Sequence, residues 1–311
     1  MSEFSRIARY FAPLAGPEGR GLTDDAAVLA PPPGRELVLT VDQMLESVHF
    51  LPGDPPDLIA RKLLRRNLSD LAAMGAVPLG YLLTTAFPPG MAEAWLAGFA
   101  KGLAEDQAEY GISLFGGDSS SSREAISLTA TLIGHVAPGA ALSRNGAQAG
   151  DDIWVTGTIG DAALGLQARF GKLDDPSGVL TARSMLPSPR VGLALAGIVH
   201  AAIDVSDGLL QDLGHMCTGA GLAATIEAAR VPASPEAAAF GEAMLERRLT
   251  DGDDYELLLA VPPAQEARLR AACGTLRITR IGSFGHGAAQ VAVADEAGGT
   301  ITFSRTGWQH F

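Results

Sequence analysis

Apolar residues return at every third or fourth position from Asp57 to Ala73. Leu58, Ile59, Leu63, Leu64, Leu68, Leu71 and Ala72 keep the spacing of one buried helix face. The same interval over residues 3–12 predicts a short amphipathic helix. Tyr81 to Phe87 is a nearly unbroken apolar run and predicts a buried strand, followed by a helix over Met91–Tyr110 and a strand over Ile112–Phe115. Ala125 to Val136 alternates in part and predicts a long strand. Leu37 to Val41 predicts another, entered from the turn Pro31-Pro32-Pro33-Gly34.

The polar, glycine-containing stretch from Pro138 to Asp152 breaks this pattern and marks a domain boundary, giving domains over 1–140 and 141–311. Beyond it, Ile153–Thr156 predicts a strand running into Gly157-Thr158-Ile159-Gly160 and then a helix. Strands are expected at Ala201–Val205, Ala223–Ile226, Tyr255–Val261 and Leu276–Ile281. Helices are expected at Val191–Val199, from about Asp207, around 235–247 and around 263–272. Both halves mix α and β, and no short-period repeat is present.

Composition narrows the function. The 311 residues suit two domains, and 47% hydrophobic with 19% charged residues is ordinary for a folded chain. The formal charge is −12, with three lysines (Lys62, Lys101, Lys172) and the other basic residues arginine, so nucleic acid and anionic membranes are not expected partners. A phosphate-bearing ligand would need cations as intermediaries. Cys217 and Cys273 form no CxxC pair and no disulfide framework, which suits a reducing cytoplasm. Met1 to Gly16 lacks a signal peptide's apolar stretch, and no run reaches the ~18 apolar residues of a membrane span. A soluble, cytoplasmic protein is expected.

The aspartates carry the candidate chemistry. Asp24-Asp25, Asp42, Asp70, Asp118, Asp204 and Asp207 fall at or near predicted strand or helix ends beside small residues. Asp42 is expected to end its strand, Asp118 to follow a strand after Gly116-Gly117, and Asp207 to begin a helix. Gathered carboxylates repel one another unless a cation lies between them, and hard oxygen ligands on short side chains suit magnesium. Taken singly, each fits a turn residue or helix N-cap as well, and spacing alone leaves both readings open. Gly165 to Lys172 is one residue too long for a P-loop and is followed by Leu173 in place of Ser or Thr. Gly157–Gly160 could hold an anion on backbone N–H groups, but plain strand-to-helix turn chemistry explains it equally. His215 and Cys217 are expected to share a helix as packing residues.

A resemblance goes further. Asp24-Asp25-Ala26-Ala27-Val28, Thr40-Val41-Asp42 through Val48-His49-Phe50, and Asn67-Leu68-Ser69-Asp70 through Gly75-Ala76 resemble the thiamine-monophosphate kinase family. So do Gly116-Gly117-Asp118-Ser119, Ser143-Arg144-Asn145-Gly146, Val155 through Asp161 and Ala202 through Leu209. Gly252-Asp253-Asp254-Tyr255-Glu256-Leu257 and the ending Gly307-Trp308-Gln309-His310-Phe311 complete a set that runs in family order along the whole chain.

The resemblance implies an aminoimidazole ribonucleotide synthetase-like fold, with an α+β N-terminal domain, an α/β C-terminal domain, and N-terminal sheets pairing in a homodimer. It implies transfer of phosphate from ATP to thiamine monophosphate. By motif position, Asp25, Thr40, Val41 (through its backbone), Asp42, Asp70, Asp118, Asp204 and Asp207 would hold several magnesium ions. Gly117, Asp118, Arg144 and Ser206 would contact ATP, and His49, Asp253 and Trp308 would contact thiamine monophosphate. Thr23 and Ser47 stand where the family usually has Gly, Ser119 where it has Thr, and Asp253 where it has Glu. The ending and the Gly252–Leu257 segment favour this family over other ATP-using members of the superfamily. Retention of every presumed metal aspartate argues against a non-catalytic nucleotide-binding relative.

Overall fold

The computed structural model describes residues 3–309. The chain forms two compact units. One runs to Leu71 and resumes over Ala76–Gly139; the other takes Ala72–Gly75 and continues from Ala140.

The first unit contains helices α1 (Glu3–Arg6), α2 (Pro56–Ala73, whose last two residues belong to the second unit) and α3 (Glu93–Tyr110). Its strands are β1 (Glu36–Leu45), β2 (Val77–Phe87), β3 (Ser113–Ser121) and β4 (Ser127–Val136). They form one mixed sheet in the order β1-β4-β2-β3, with β4 antiparallel to both neighbours and β3 parallel to β2. Alternation along the strands divides the faces. Met44, Tyr81, Leu83, Leu128, Ala130 and Leu132 are buried, whereas Leu37, Leu39 and Val41 of β1 are exposed. Leu63, Leu64, Leu68 and Leu71 of α2 are fully buried, as the periodicity predicts. Buried Asp106 on α3 ties the helices by accepting from Arg61 Nε at 2.8 Å and Arg65 Nε at 2.9 Å. Gly102 permits their close approach, since a Cβ there would stand 2.2 Å from the Asp57 carbonyl oxygen.

The second unit is built on seven strands: β5 (Asp152–Thr156), β6 (Ala201–Asp204), β7 (Ala223–Glu227), β8 (Leu257–Val261), β9 (Ile278–Gly285), β10 (Val291–Ala294) and β11 (Thr300–Ile301). Their order is β11-β10-β7-β9-β5-β8-β6, and only the β10–β7 pair is parallel. Helices α4 (Asp161–Arg169), α5 (Val179–Met185), α6 (Leu209–Ala220), α7 (Pro235–Ala238), α8 (Leu245–Thr250) and α9 (Glu266–Cys273) accompany it. Ile153, Val155, Leu258 and Ala260 join one apolar cluster while Trp154, Leu257, Leu259 and Val261 join another. Both faces of β5 and β8 are therefore covered, so these strands read as unbroken apolar runs.

Several expected elements differ. Val191–Val199 is a chain of turns rather than a helix, with Gly192 and Gly197 in left-handed conformation (φ 88° and 71°). The helix expected around 235–247 is broken into α7, a 3₁₀ turn over Gly241–Met244, and α8. The N-terminal helix keeps α-geometry only over α1, widens to a π-turn over Ile7–Phe11 and tightens over Ala12–Leu14, where Pro13 removes a donor. Asp42 does not end β1 and Asp118 does not follow β3: both lie inside longer strands.

Candidate active site

In the first unit, the candidate residues sit along β1, α2 and β3. The Thr40 hydroxyl donates to Asp70 Oδ2 at 2.6 Å, bringing two sequence-predicted ligands into contact. Asp42 shares the Thr40 face of β1 and pairs with Arg66 at 3.4 Å. Val41 is 60% exposed on the opposite face. Asp25 lies on an exposed bend, its N–H donating to Asp24 Oδ1 at 3.2 Å.

Asp118 is exposed and stands opposite Thr84 of β2. The row Asp42–Ala130–Leu83–Gly117 crosses the whole sheet, so β1 and β3 are three strand spacings apart, roughly 14 Å. Within one chain, then, Asp42 and Asp118 lie on opposite edge strands of the sheet. Gly117 has a steric reason: a Cβ there would come within 1.8 Å of the Leu83 carbonyl oxygen. His49 closes the turn after β1, its Nδ1 accepting from the Leu45 N–H at 3.0 Å, which leaves Nε2 as the protonated nitrogen of the neutral ring. Ser47 in that turn has φ 66°, which accounts for the glycine usual at this position in the family it resembles.

In the second unit, the segment between β6 and α6 is folded around a residue that sequence reasoning missed. Asp212 is 2% exposed, and its Oδ2 accepts from the N–H groups of Ser206, Asp207 and Gly208 at 3.0–3.1 Å. Asp207 is therefore not the helix cap: Gly208 holds that position, and Asp212 inside the helix holds the N–H groups of the loop before it. Burial, and then the charges of Asp204 and Asp207, hold the Asp212 carboxyl well above the usual carboxylate range, against the pull of those N–H bonds. A candidate oxygen atom on Asp207, one on Asp212 and a ring nitrogen of His215 all lie within 4.8 Å of one another. His215 is exposed on α6, unlike the packing role expected for it, whereas Cys217 is buried and its thiol is pushed up to about 11 by that burial.

With its N–H groups turned onto Asp212, the same segment offers its carbonyls outward. The carbonyl of Val205 accepts from the Tyr255 N–H at 2.8 Å, that of Ser206 from the Asp253 N–H at 2.8 Å, and that of Asp207 from the Trp308 N–H at 2.9 Å. Gln211 bridges the last pair, its Nε2 donating to Asp207 Oδ2 at 3.0 Å and to the Trp308 carbonyl at 2.9 Å. Ser206, Asp207, Asp253 and Trp308 are thus drawn into one group, with Asp204, 6% exposed, just ahead of it. Trp308 keeps 48% of its surface exposed. His310 and Phe311, which complete the terminal motif, lie outside the described residues. Arg144 is exposed on the loop before β5, and among the described residues no hydrogen bond or ion pair ties it to this group.

Residues 23–136 match the family model for the AIR synthase related protein N-terminal domain, and residues 148–294 that for its C-terminal domain. The thiamine-monophosphate kinase of Caulobacter vibrioides is 43% identical over 99% of this chain and 91% of its own length. The chain belongs to the thiamine-monophosphate kinase family. The crystal structure of the Stenotrophomonas maltophilia K279a thiamine-monophosphate kinase is 37% identical and superposes with a TM-score of 0.82 over 93% of each chain. A structure described as AaThiL complexed with AMPPCP and TMP gives a TM-score of 0.80 at 28% identity over 93% of this chain and 91% of that one.

Family membership gives the Gly252–Leu257 motif a structural reading beyond Asp253. Asp254 is fully buried and its two oxygens accept from the Gly160 N–H at 3.0 and 2.9 Å, so the Gly157–Gly160 turn holds this protein's own carboxylate. Burial, before any neighbouring charge, raises its pKa well above the ordinary value. Glu256, with no exposed surface, accepts from Thr156 Oγ1 at 2.7 Å, from Arg190 Nε at 2.6 Å and from Arg183 at 3.1 Å. Neither carboxylate was singled out in the sequence, because a buried structural acid and a ligating one carry the same letter. Thr23, the other position with a usual family glycine, has φ −111°, which any residue adopts.

Proposed function

We propose that this chain transfers the γ-phosphate of ATP to thiamine monophosphate, forming thiamine diphosphate and ADP in a reducing cytoplasm. The observation that carries the proposal is the end-to-end likeness to thiamine-monophosphate kinases, at 43% identity over 99% of the chain. Likeness to a protein complexed with AMPPCP and TMP supports the same pair of substrates.

Magnesium fits the donors. All are hard oxygens, and Asp204 and Asp207 add negative charge beside Asp212, whose carboxyl is raised first by burial and then by those charges, so a cation there would relieve the crowding. In the first unit Asp25, Thr40, the Val41 carbonyl, Asp42, Asp70 and Asp118 would hold magnesium, and in the second unit Asp204 and Asp207 would. When bound, magnesium offsets the negative charge of the phosphates and of the transferring group. The chain's own residues then position. Gly117, Asp118, Arg144 and Ser206 orient ATP, with Arg144 lending fixed positive charge. His49, Asp253 and Trp308 orient thiamine monophosphate.

The acceptor phosphate has a second pKa of about 6, so its attacking oxygen is already ionised near neutrality and no general base is needed. Direct in-line transfer follows, with positioning and electrostatics carrying the catalysis.

The active form is a homodimer through the four-stranded sheet. Its β1 edge and the exposed face bearing Leu37, Leu39 and Val41 support this, because such an edge and apolar face invite pairing. Light scattering at micromolar concentration should report a dimer, and a monomer would remove this part of the reading. Activity is tested by ADP release with thiamine monophosphate, free thiamine, or a purine precursor as acceptor. Release with thiamine monophosphate alone supports the proposal, and turnover of the purine precursor alone would refute it.

A further inference from the structure

We infer that Tyr255 is a positioning residue that fixes the Asp253 carboxylate for thiamine monophosphate; this rests on the reading of Asp253 as a substrate contact. Asp253 and Tyr255 both take left-handed backbone angles, φ 67° and 53°, which cost a non-glycine residue about 1 kcal/mol or more. They follow Gly252, φ 73°, where a Cβ would meet the Ser206 carbonyl oxygen at 2.3 Å. Such backbone persists only where its surroundings over-determine it. Here the Asp253 N–H is held by Ser206, the Tyr255 N–H by Val205, and the intervening Asp254 carboxylate by Gly160.

The conformation has a definite product. It turns the Tyr255 hydroxyl back onto Asp253, where it donates to Oδ1 at 2.9 Å. Tyr255 is 2% exposed, so its ring has little freedom and the hydroxyl is a fixed donor, while Asp253 remains partly exposed. A charge-assisted bond to one oxygen stops the carboxylate rotating. Orientation matters more here than in relatives with Glu, because Asp is one methylene shorter and has less reach with which to compensate.

The test is steady-state kinetics on the full-length protein, each substrate varied, for Tyr255→Phe, Asp253→Ala and the double variant, with thermal melting alongside. Phe keeps the ring and its packing. Tyr255→Phe should raise the KM for thiamine monophosphate about three- to tenfold, the scale of one ordinary hydrogen bond, because the lost bond acts on the substrate only through Asp253. KM for ATP and the melting temperature should change little, and the double variant should be no worse than Asp253→Ala alone. A rise in Asp253→Ala without one in Tyr255→Phe, or losses that multiply in the double variant, would overturn the positioning role and leave the substrate contact standing. Early melting of Tyr255→Phe with equal loss of both affinities would assign the hydroxyl to the fold and overturn the inference. An unchanged KM in Asp253→Ala would remove the substrate contact itself, and the inference with it.

Discussion

The Thr40 hydroxyl donates to the Asp70 carboxylate across 2.6 Å, joining a strand and a helix from positions 30 residues apart. On the proposed reading both are metal ligands, and Thr40 orients Asp70 in addition. Asp70→Asn and Asp118→Asn should each lower turnover at least about 100-fold, the several kcal/mol expected when a metal loses a charged ligand. For Asp70→Asn, melting without magnesium should be unchanged or higher, since repulsion from neighbouring Asp42 is relieved; for exposed Asp118→Asn it should be unchanged. Full turnover by either variant at ordinary magnesium concentrations would remove that residue from the ligand set.

Ser47 gives a second prediction, independent of catalysis. Its φ of 66° is one that a side chain disfavours and glycine accepts. Ser47→Gly should therefore stabilise the fold by about 1 kcal/mol, less whatever glycine gives back through its freer unfolded chain. Chemical denaturation measures it. A loss of stability would mean that the Ser47 side chain makes a contact worth more than the strain.

Trp308 is half-exposed, yet its backbone is pinned on both sides by Asp207 and Gln211. An ordered, half-exposed indole suits the cationic thiazolium carried by the proposed substrate. Trp308→Ala should raise the KM for this substrate about tenfold, matching the ~1–2 kcal/mol of a cation–π contact, and leave the KM for ATP nearly unchanged. Equal effects on both substrates would mean that Trp308 only anchors the chain end.

Asp254 should make stability pH-dependent. Because burial raises its folded pKa above the unfolded value, the fold favours the protonated acid. The stability this group contributes is full below the unfolded value of about 4 and is lost as pH rises through the higher folded value. Asp254→Asn imitates the protonated form and keeps an acceptor for the Gly160 N–H. Its melting temperature should fall less than the parent's between acidic and alkaline pH. Asp254→Ala, which leaves that N–H unsatisfied, should cost about 1–3 kcal/mol at acidic pH and less as pH rises. Identical pH slopes for parent and Asn variant would contradict this account.

Much of the fold was legible where one period dominates. The α2 face from Leu58 to Ala72 and the apolar runs of β5 and β8 appear where the sequence predicts them. Val191–Val199 misled because its apolar spacing is helical while Gly192 and Gly197 adopt turn conformations that spacing does not encode. The sequence pattern ends the strands early at Asp42 and Asp118 because polar residues look like termini, whereas an edge strand carries them within its ladder. In the site, Ser206, Asp207, Asp253 and Trp308 come together through backbone carbonyls, which have no signature in the sequence. Asp212 was missed for a related reason: its ligands are three N–H groups of its own preceding loop.

The central claim is direct transfer of the γ-phosphate to the phosphate of thiamine monophosphate. It is tested most directly by incubating the protein with magnesium, thiamine monophosphate and ATP labelled in the γ-phosphate, then separating the products. The account predicts label in the terminal phosphate of thiamine diphosphate, equal in amount to the ADP formed. Label recovered as inorganic phosphate or on another acceptor, with no labelled thiamine diphosphate, would contradict it.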